Sequence, residues 1–249
     1  MSASLKPEII FSGNGISVTN TLATTLLTDF VLLILVIIIS KNIKRVPSLL
    51  QNIAEIAVDY FYTLTSQVSG KNVNKIFPWV TSFFIFIFFS NILGLLPGFG
   101  TIGFFNSRTG GNEKEFIPLL RAATSDFNTT LALAVISLVA THVIAIRTIG
   151  IKDYLSRFFS FNPIYLFVGA LELVSEITKL FSLSFRLFGN IFAGEIVLST
   201  ISSLFAFVAP IPFMLLEVIV ALVQALVFAM LTMVFMSILA TPHSEGAEH

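Results

Sequence analysis

Cysteine is absent from this chain, and histidine occurs only at His142, His243 and His249. The first absence removes disulfides, thiolate nucleophiles and thiolate-bound metals. The second leaves no bis-histidine haem and no HExxH zinc site, and no partner set for His142 is evident in the sequence. Charge is scarce as well: 11% of residues are charged, acids and bases are equal in number, and the formal net charge is zero. No basic excess points to nucleic acid, which is not expected as a partner. Met1–Asn20 lacks a basic region followed by an apolar run and a small-residue cleavage site, so it does not read as a cleaved signal peptide. Neither a repeat of about 20 to 50 residues nor a second soluble domain is visible.

Apolar residues fill the space that charge leaves. They make up 55% of the chain, and the mean hydropathy is +0.93, far outside the range of a soluble globular domain. The composition predicts an all-α polytopic membrane protein in contact with lipid. The 27 phenylalanines read as lipid-facing and interhelical packing rather than as a cofactor box, and no cofactor or metal is expected.

Taken in order, the chain predicts one membrane domain over 1–249, with about five membrane helices and one interfacial helix. Residues 1–20 form an outer tail, and 22–40 make a first span of about the 20 residues a bilayer core requires, with Asp29 inside it. Lys41, Lys44 and Arg45 follow and place that end on the cytoplasmic side by the positive-inside rule. Over 47–69, Leu50, Ile53, Ile56, Ala57, Tyr60, Phe61 and Leu64 recur at helical spacing against Gln51, Asn52, Glu55, Asp59 and Thr63, an amphipathic helix in the inner interface. A helical hairpin over 77–145 comprises Phe77–Leu96, a Gly-rich outer loop from Pro97 to Ser125, and Phe127–Ala145 leading into a loop with Arg147, Lys152 and Arg157.

The last pair, 163–240, is long, tilted and antiparallel, turning near Pro210 and Pro212, and 241–249 is a cytoplasmic tail. A helix from Pro163 to about Phe207 would reach about 65 Å against a core of about 30 Å, so it must tilt or bend. Of fourteen Lys and Arg, eight fall inside, four outside and two within the membrane, which supports an outer N-terminus and a cytoplasmic C-terminus.

Within 172–195 the spans carry charges that cost roughly 2.5–3.5 kcal/mol each at bilayer depth unless they face protein, water or a partner. Glu172, Glu176, Lys179, Ser182 or Leu183, Arg186 and Asn190 follow helical steps of three and four and form one stripe. Glu176 and Lys179 can pair locally. Arg186 has no acid within one turn, and its apolar flanks leave no nearby interface to snorkel to. Glu195 lies about 13 Å further along and on the opposite side of the helix. An antiparallel partner would bring Glu195 level with Glu217, and Arg186 level with Gln224. Two carboxylates meeting in a low dielectric suit proton exchange, while Arg186 supplies a fixed positive charge. An interhelical hydrogen bond is the plainer role for Glu217, and a helix N-cap for Asp126.

Four segments carry a resemblance: SLSFRLFGNIFAGE at Ser182–Glu195, LVQALVFAMLTMVF at Leu222–Phe235, NILGLLPG at Asn91–Gly98 and TSDFNTTLAL at Thr124–Leu133. Together they closely resemble subunit a of the F-type ATP synthase, the membrane stator beside the rotating c-ring. The resemblance implies a non-catalytic proton-translocating subunit in a bacterial plasma (inner) membrane, with the c-ring and b-type peripheral stalk subunits as partners. It implies that Arg186 faces the ion-binding carboxylate of each passing c subunit and separates two offset half-channels. Glu195, Glu217, Asn190 and Gln224 would lead protons in from outside. Glu172, Lys179 and Ser182 match positions near the inner exit, with Glu176, Asp126 and Asn128 as further channel lining. Glu at both 195 and 217 differs from family members that carry His at one of them. A free-standing channel or carrier would call for inverted repeats or broken helices, and an intramembrane protease for an Asp pair, a Ser–His pair or a zinc motif. Neither pattern is apparent.

Overall fold

The apolar runs fold as helices. A computed structural model describes residues 8–13, 16–41, 43–96, 102–106, 115–158, 163–204 and 210–241. Parts of the expected outer tail and Gly-rich loop, the turn at 205–209, and residues 242–249 with His243 and His249 lie outside the described residues. The α-helices are α1 (Asn20–Lys41), α2 (Leu49–Ser69), α3 (Val73–Leu95), α4 (Phe127–Ile149), α5 (Ile151–Phe158), α6 (Pro163–Leu204) and α7 (Pro210–Leu239). Among the described residues, four helical stretches are long and apolar enough to cross a membrane: Asn20–Lys41, Leu49–Leu95, Phe127–Ile149 and Pro210–Leu239. Helix α6 runs for 42 residues, about 63 Å at 1.5 Å per residue, so the expected long helix before the last one is present.

Three features differ from the sequence expectation. Strands β1 (Ile9–Gly13) and β2 (Ile16–Thr19) pair antiparallel within the expected outer tail, for which no strand was expected. Strands β3 (Gly103–Asn106) and β4 (Glu115–Pro118) do the same within the outer loop. Helix α5 occupies the expected loop around Lys152 and Arg157. Strands of four or five residues and a helix of eight are too short to print a period on the sequence, which is why composition reads them as loop.

The chain divides into two compact units. One draws on Met1–Lys41, Ile85–Thr130 and Phe185–Ala225, the other on Asn42–Phe84, Leu131–Ser184 and Leu226–His249. In the first, α1 buries its polar side. Asn20, Thr21, Thr24 and Thr28 are buried while Leu26, Phe30 and Leu33 are exposed. The Thr24 and Thr28 hydroxyls donate to the carbonyls of Asn20 and Thr24, at 3.0 and 2.9 Å, so these small polar residues satisfy themselves while admitting close packing, as in membrane helices. The Thr24 hydroxyl also accepts from the Arg121 backbone N–H at 3.2 Å, and the Thr124 hydroxyl donates to Asn91 Oδ1 at 2.5 Å. Phe127 packs on Phe185 and Phe188, with ring centroids 5.0 and 5.8 Å apart.

The second unit is built on Ile76, Val80, Phe228, Met233, Met236 and Leu239, all fully buried or nearly so. Phe83 meets Phe228 at 5.6 Å, and Phe61 meets Phe84 at 4.5 Å. The Ser137 and Thr232 hydroxyls bond at 2.9 Å. Helix α2 buries Gln51, Phe61, Thr65 and Ser69 and leaves Leu50, Ile53, Ile56 and Tyr60 exposed. Its apolar side is thus outward, which suits a helix lying against lipid.

Candidate functional site

The polar residues of the first unit assemble where α6 and α7 approach. A Cβ added at Gly194 would overlap the Glu217 carboxyl, so the absence of a side chain at 194 is what lets that carboxyl lie on α6. Glu217 is only 6% exposed. Its seat, Gly194, is the residue before Glu195. Further along, Asn190 Nδ2 donates to Gln224 Oε1 at 2.7 Å, and Gln224 is 4% exposed. Gln224 therefore bonds one turn beyond the level of Arg186 at which the sequence register placed it. Arg186 itself is exposed, while Leu187 and Ile191 on the same helix are buried.

Glu195 has a cationic partner that the sequence register did not name. It is held by Arg121, whose Nε lies 3.0 Å from Oε1 and whose Nη2 donates to Oε2 at 3.1 Å. The Arg121 side chain is 9% exposed and that of Glu195 33%. A guanidinium fork matches a carboxylate with two parallel bonds, a geometry no lysine could reproduce. Sequence reasoning counted Arg121 only as a loop charge. Its signal was its setting, an arginine between Leu119–Leu120 and Ala122–Ala123, a charge too close to apolar neighbours to be left solvated.

Asp126 takes the N-cap role and one more. Its Oδ1 accepts from the Asn128 N–H and its Oδ2 from the Thr21 hydroxyl, both at 2.9 Å. It thereby fastens the start of α4 to α1. Asn128 is exposed at that helix start.

In the second unit the expected local pair is present, with Lys179 Nζ 2.7 Å from Glu176 Oε1. The Lys179 ammonium also lies over the Phe235 ring, 4.8 Å from its centroid, a cation–π contact. Glu172 is bound by Arg157, Nε to Oε1 at 2.7 Å. The Arg157 Nη1 further approaches the carbonyls of Ile238 and Leu239 at 3.4 Å, near the end of α7. His142 proves to have partners that its sequence neighbours do not reveal: Tyr154 Oη at 2.9 Å from Nδ1, and Glu176 Oε2 at 3.9 Å from Nε2. Ser182 is exposed.

A family model, described as ATP synthase A chain, matches residues 22–237. The chain belongs to this family. It is similar to the ATP synthase subunit a of Moorella thermoacetica, 29% identical over 233 residues that cover 94% of this chain and 96% of that one. It is also similar to the ATP synthase subunit a of Geotalea daltonii and of Geotalea uraniireducens, 33% and 34% identical over 217 residues, 86% of this chain and 84% of each relative. Membership in the ATP synthase A chain family makes the charges of α6 and α7 the natural focus. The two units gather them differently: Glu195 on an arginine from outside its helix, Glu217 beside it with no ion-pair partner among the described residues, and Glu172 and Glu176 each on a base.

Proposed function

We propose that this chain is the stator-side proton path of an F-type ATP synthase, guiding protons to and from a c-ring without performing bond chemistry itself. The observation that carries the reading is the polar set where α6 meets α7, with Glu217 on Gly194, Glu195 on Arg121 and Asn190 on Gln224, of which Glu217 and Gln224 are buried. Buried groups of this kind are expensive in a bilayer and mark ion pathways.

In this reading Glu217 is the carboxyl that takes up and passes protons from the outer side. Glu195 and Arg121 fix the shape and charge of the inlet beside it, and Asn190 and Gln224 continue the polar route. Arg186, exposed on α6, is the permanent cation that faces the ion-binding carboxylate of each passing c subunit and blocks leakage between two offset half-channels. Each elementary charge crossing is worth about 2.3 kcal/mol per 100 mV, and a cation that cannot deprotonate directs that energy into rotation. Glu172, Glu176, Lys179 and Ser182 belong to the inner route. The N-terminus lies outside and the C-terminus in the cytoplasm of a bacterium, with b-type stalk subunits holding the chain against rotation. Asp126 and Asn128 support the outer end.

Affinity purification of the tagged chain from mild detergent tests this directly. A small two-helix proteolipid should co-purify, and vesicles reconstituted with the complex should conduct protons under an imposed potential. Recovery of the chain alone, with proton-tight vesicles, would overturn the reading.

A further inference from the structure

We propose that His142 is a proton relay of the inner route, receiving protons from the Glu176 carboxyl and releasing them to water, with Tyr154 as the positioning residue that sets its ring. This rests on the chain being a proton-conducting subunit and names a side chain that the family resemblance did not supply.

The turn after α4 makes the arrangement possible. Gly150 adopts φ +87°, a conformation other residues avoid, and its N–H closes α4 by donating to the Ile146 carbonyl at 3.0 Å. The chain then restarts at once as α5, with the Tyr154 N–H donating to the Gly150 carbonyl at 3.1 Å. Tyr154 is thereby returned to α4, where its hydroxyl lies 2.9 Å from His142 Nδ1. A neutral imidazole that donates from Nδ1 to this oxygen keeps Nε2 as its free, basic nitrogen.

Nε2 points to Glu176. Its distance of 3.9 Å to Oε2 is too long for a direct hydrogen bond and suits one bridging water or a small rotation of either side chain. The other carboxylate oxygen is occupied by Lys179 at 2.7 Å, and Lys179 is itself seated on Phe235, so Oε2 is the oxygen left for proton traffic. Glu176 is 5% exposed. Beside it lies a cavity of about 10 Å³ bordered by Ser137, Thr141, Glu176 and Lys179, about the room one water requires, with the polar neighbours it needs. The charged and titratable groups facing His142 are Tyr154 from α5 and Glu176 and Lys179 from α6. Helix α7 brings Phe235, and Arg157 is engaged with Glu172 at 2.7 Å.

The step conserves charge and breaks no bond between heavy atoms. A proton from the cavity reaches Glu176 Oε2, the carboxyl O–H proton passes to Nε2, and the imidazolium yields it to water at its partly exposed edge. Glu176 is left as the carboxylate paired with Lys179, and the ring as the same Nδ1–H tautomer. Tyr154 is not the carrier. Burial raises the pKa of its phenol, the nearby Glu176 and Glu172 raise it further, and Arg157 lowers it, so it keeps its own proton.

The test uses the whole complex in inverted vesicles, measuring passive and ATP-driven proton flux against pH for H142Q, H142A and Y154F. H142Q should slow flux on the order of tenfold or more. Added imidazole should restore H142A in proportion to its concentration. Y154F should shift the pH profile more than it lowers the maximal rate. Wild-type flux and pH profile in an assembled H142Q complex would overturn the relay, as would an H142A loss that imidazole does not restore. Proton-tight vesicles from the wild-type complex would instead overturn the broader reading.

Discussion

Arg121 and Glu195, 74 residues apart in sequence, close a two-pronged ion pair, with Nε at 3.0 Å and Nη2 at 3.1 Å from the two carboxylate oxygens. It ties the segment leading into α4 to the C-terminal part of α6 and leaves Glu217 as the neighbouring carboxyl without a cation among the described residues.

Replacing Arg121 by Ala removes the one ion-pair partner that Glu195 has among the described residues. Hydrogen bonds between charged groups contribute roughly 1.5–3 kcal/mol each, so R121A should lower both complex stability and proton flux. Arg121→Lys should recover little, because an ammonium cannot match both oxygens. A double-mutant cycle with Glu195→Gln checks it: the two losses should be strongly non-additive. Additive losses would mean that the pair has no energetic coupling.

Gly194→Ala and Glu217→Gln should resemble one another. The added methyl group displaces the Glu217 carboxyl, and the amide removes its proton. Both should slow passive proton conduction, with the Gln variant also changing its pH dependence. A Gly194→Ala complex with wild-type conduction would show that the close seat of Glu217 on α6 is not needed.

The α6–α7 register can be read by crosslinking. Asn190 and Gln224 are hydrogen-bonded at 2.7 Å, and the chain has no native cysteine. The double variant N190C/Q224C should be joined by a short bifunctional thiol reagent, which spans the space that the two hydrogen-bonded side chains fill. Absence of a crosslink in an assembled complex would contradict the register.

Tyr154 gives a prediction in alkaline solution. Its folded-state pKa is raised, first by burial and then by Glu176 and Glu172, so the folded state holds the phenolic proton more tightly than the unfolded one. The resulting stability is complete below the unfolded value of about 10 and is lost as pH rises through the higher folded value. Thermal unfolding of the wild type should therefore fall more steeply above about pH 10 than that of Y154F. Parallel curves would remove the linkage.

Where the sequence was legible, it was through long apolar runs and local spacing. The helices at Asn20, Leu49, Val73, Phe127, Pro163 and Pro210 announce themselves by runs longer than any turn signal. The Glu176–Lys179 pair is one helical turn and needs no tertiary knowledge. Counting along two antiparallel helices is enough to bring Glu217 near the part of α6 that holds Gly194. Arg121 escaped because its partner lies far off in sequence on an element with no shared period. His142 escaped because its hydrogen bond depends on the backward turn at Gly150, and the hairpins because strands of four or five residues carry too few alternations to register. Contacts of these kinds exist only once the chain is packed.

The role proposed for Arg186 is that of the fixed cation between two half-channels. Arg186→Ala in the intact complex, assayed in inverted vesicles for ATP-driven proton pumping and for ATP synthesis under an imposed gradient, tests it most directly. The expected result is an assembled complex that still hydrolyses ATP but neither pumps protons nor makes ATP. Coupled pumping retained in that variant would contradict it.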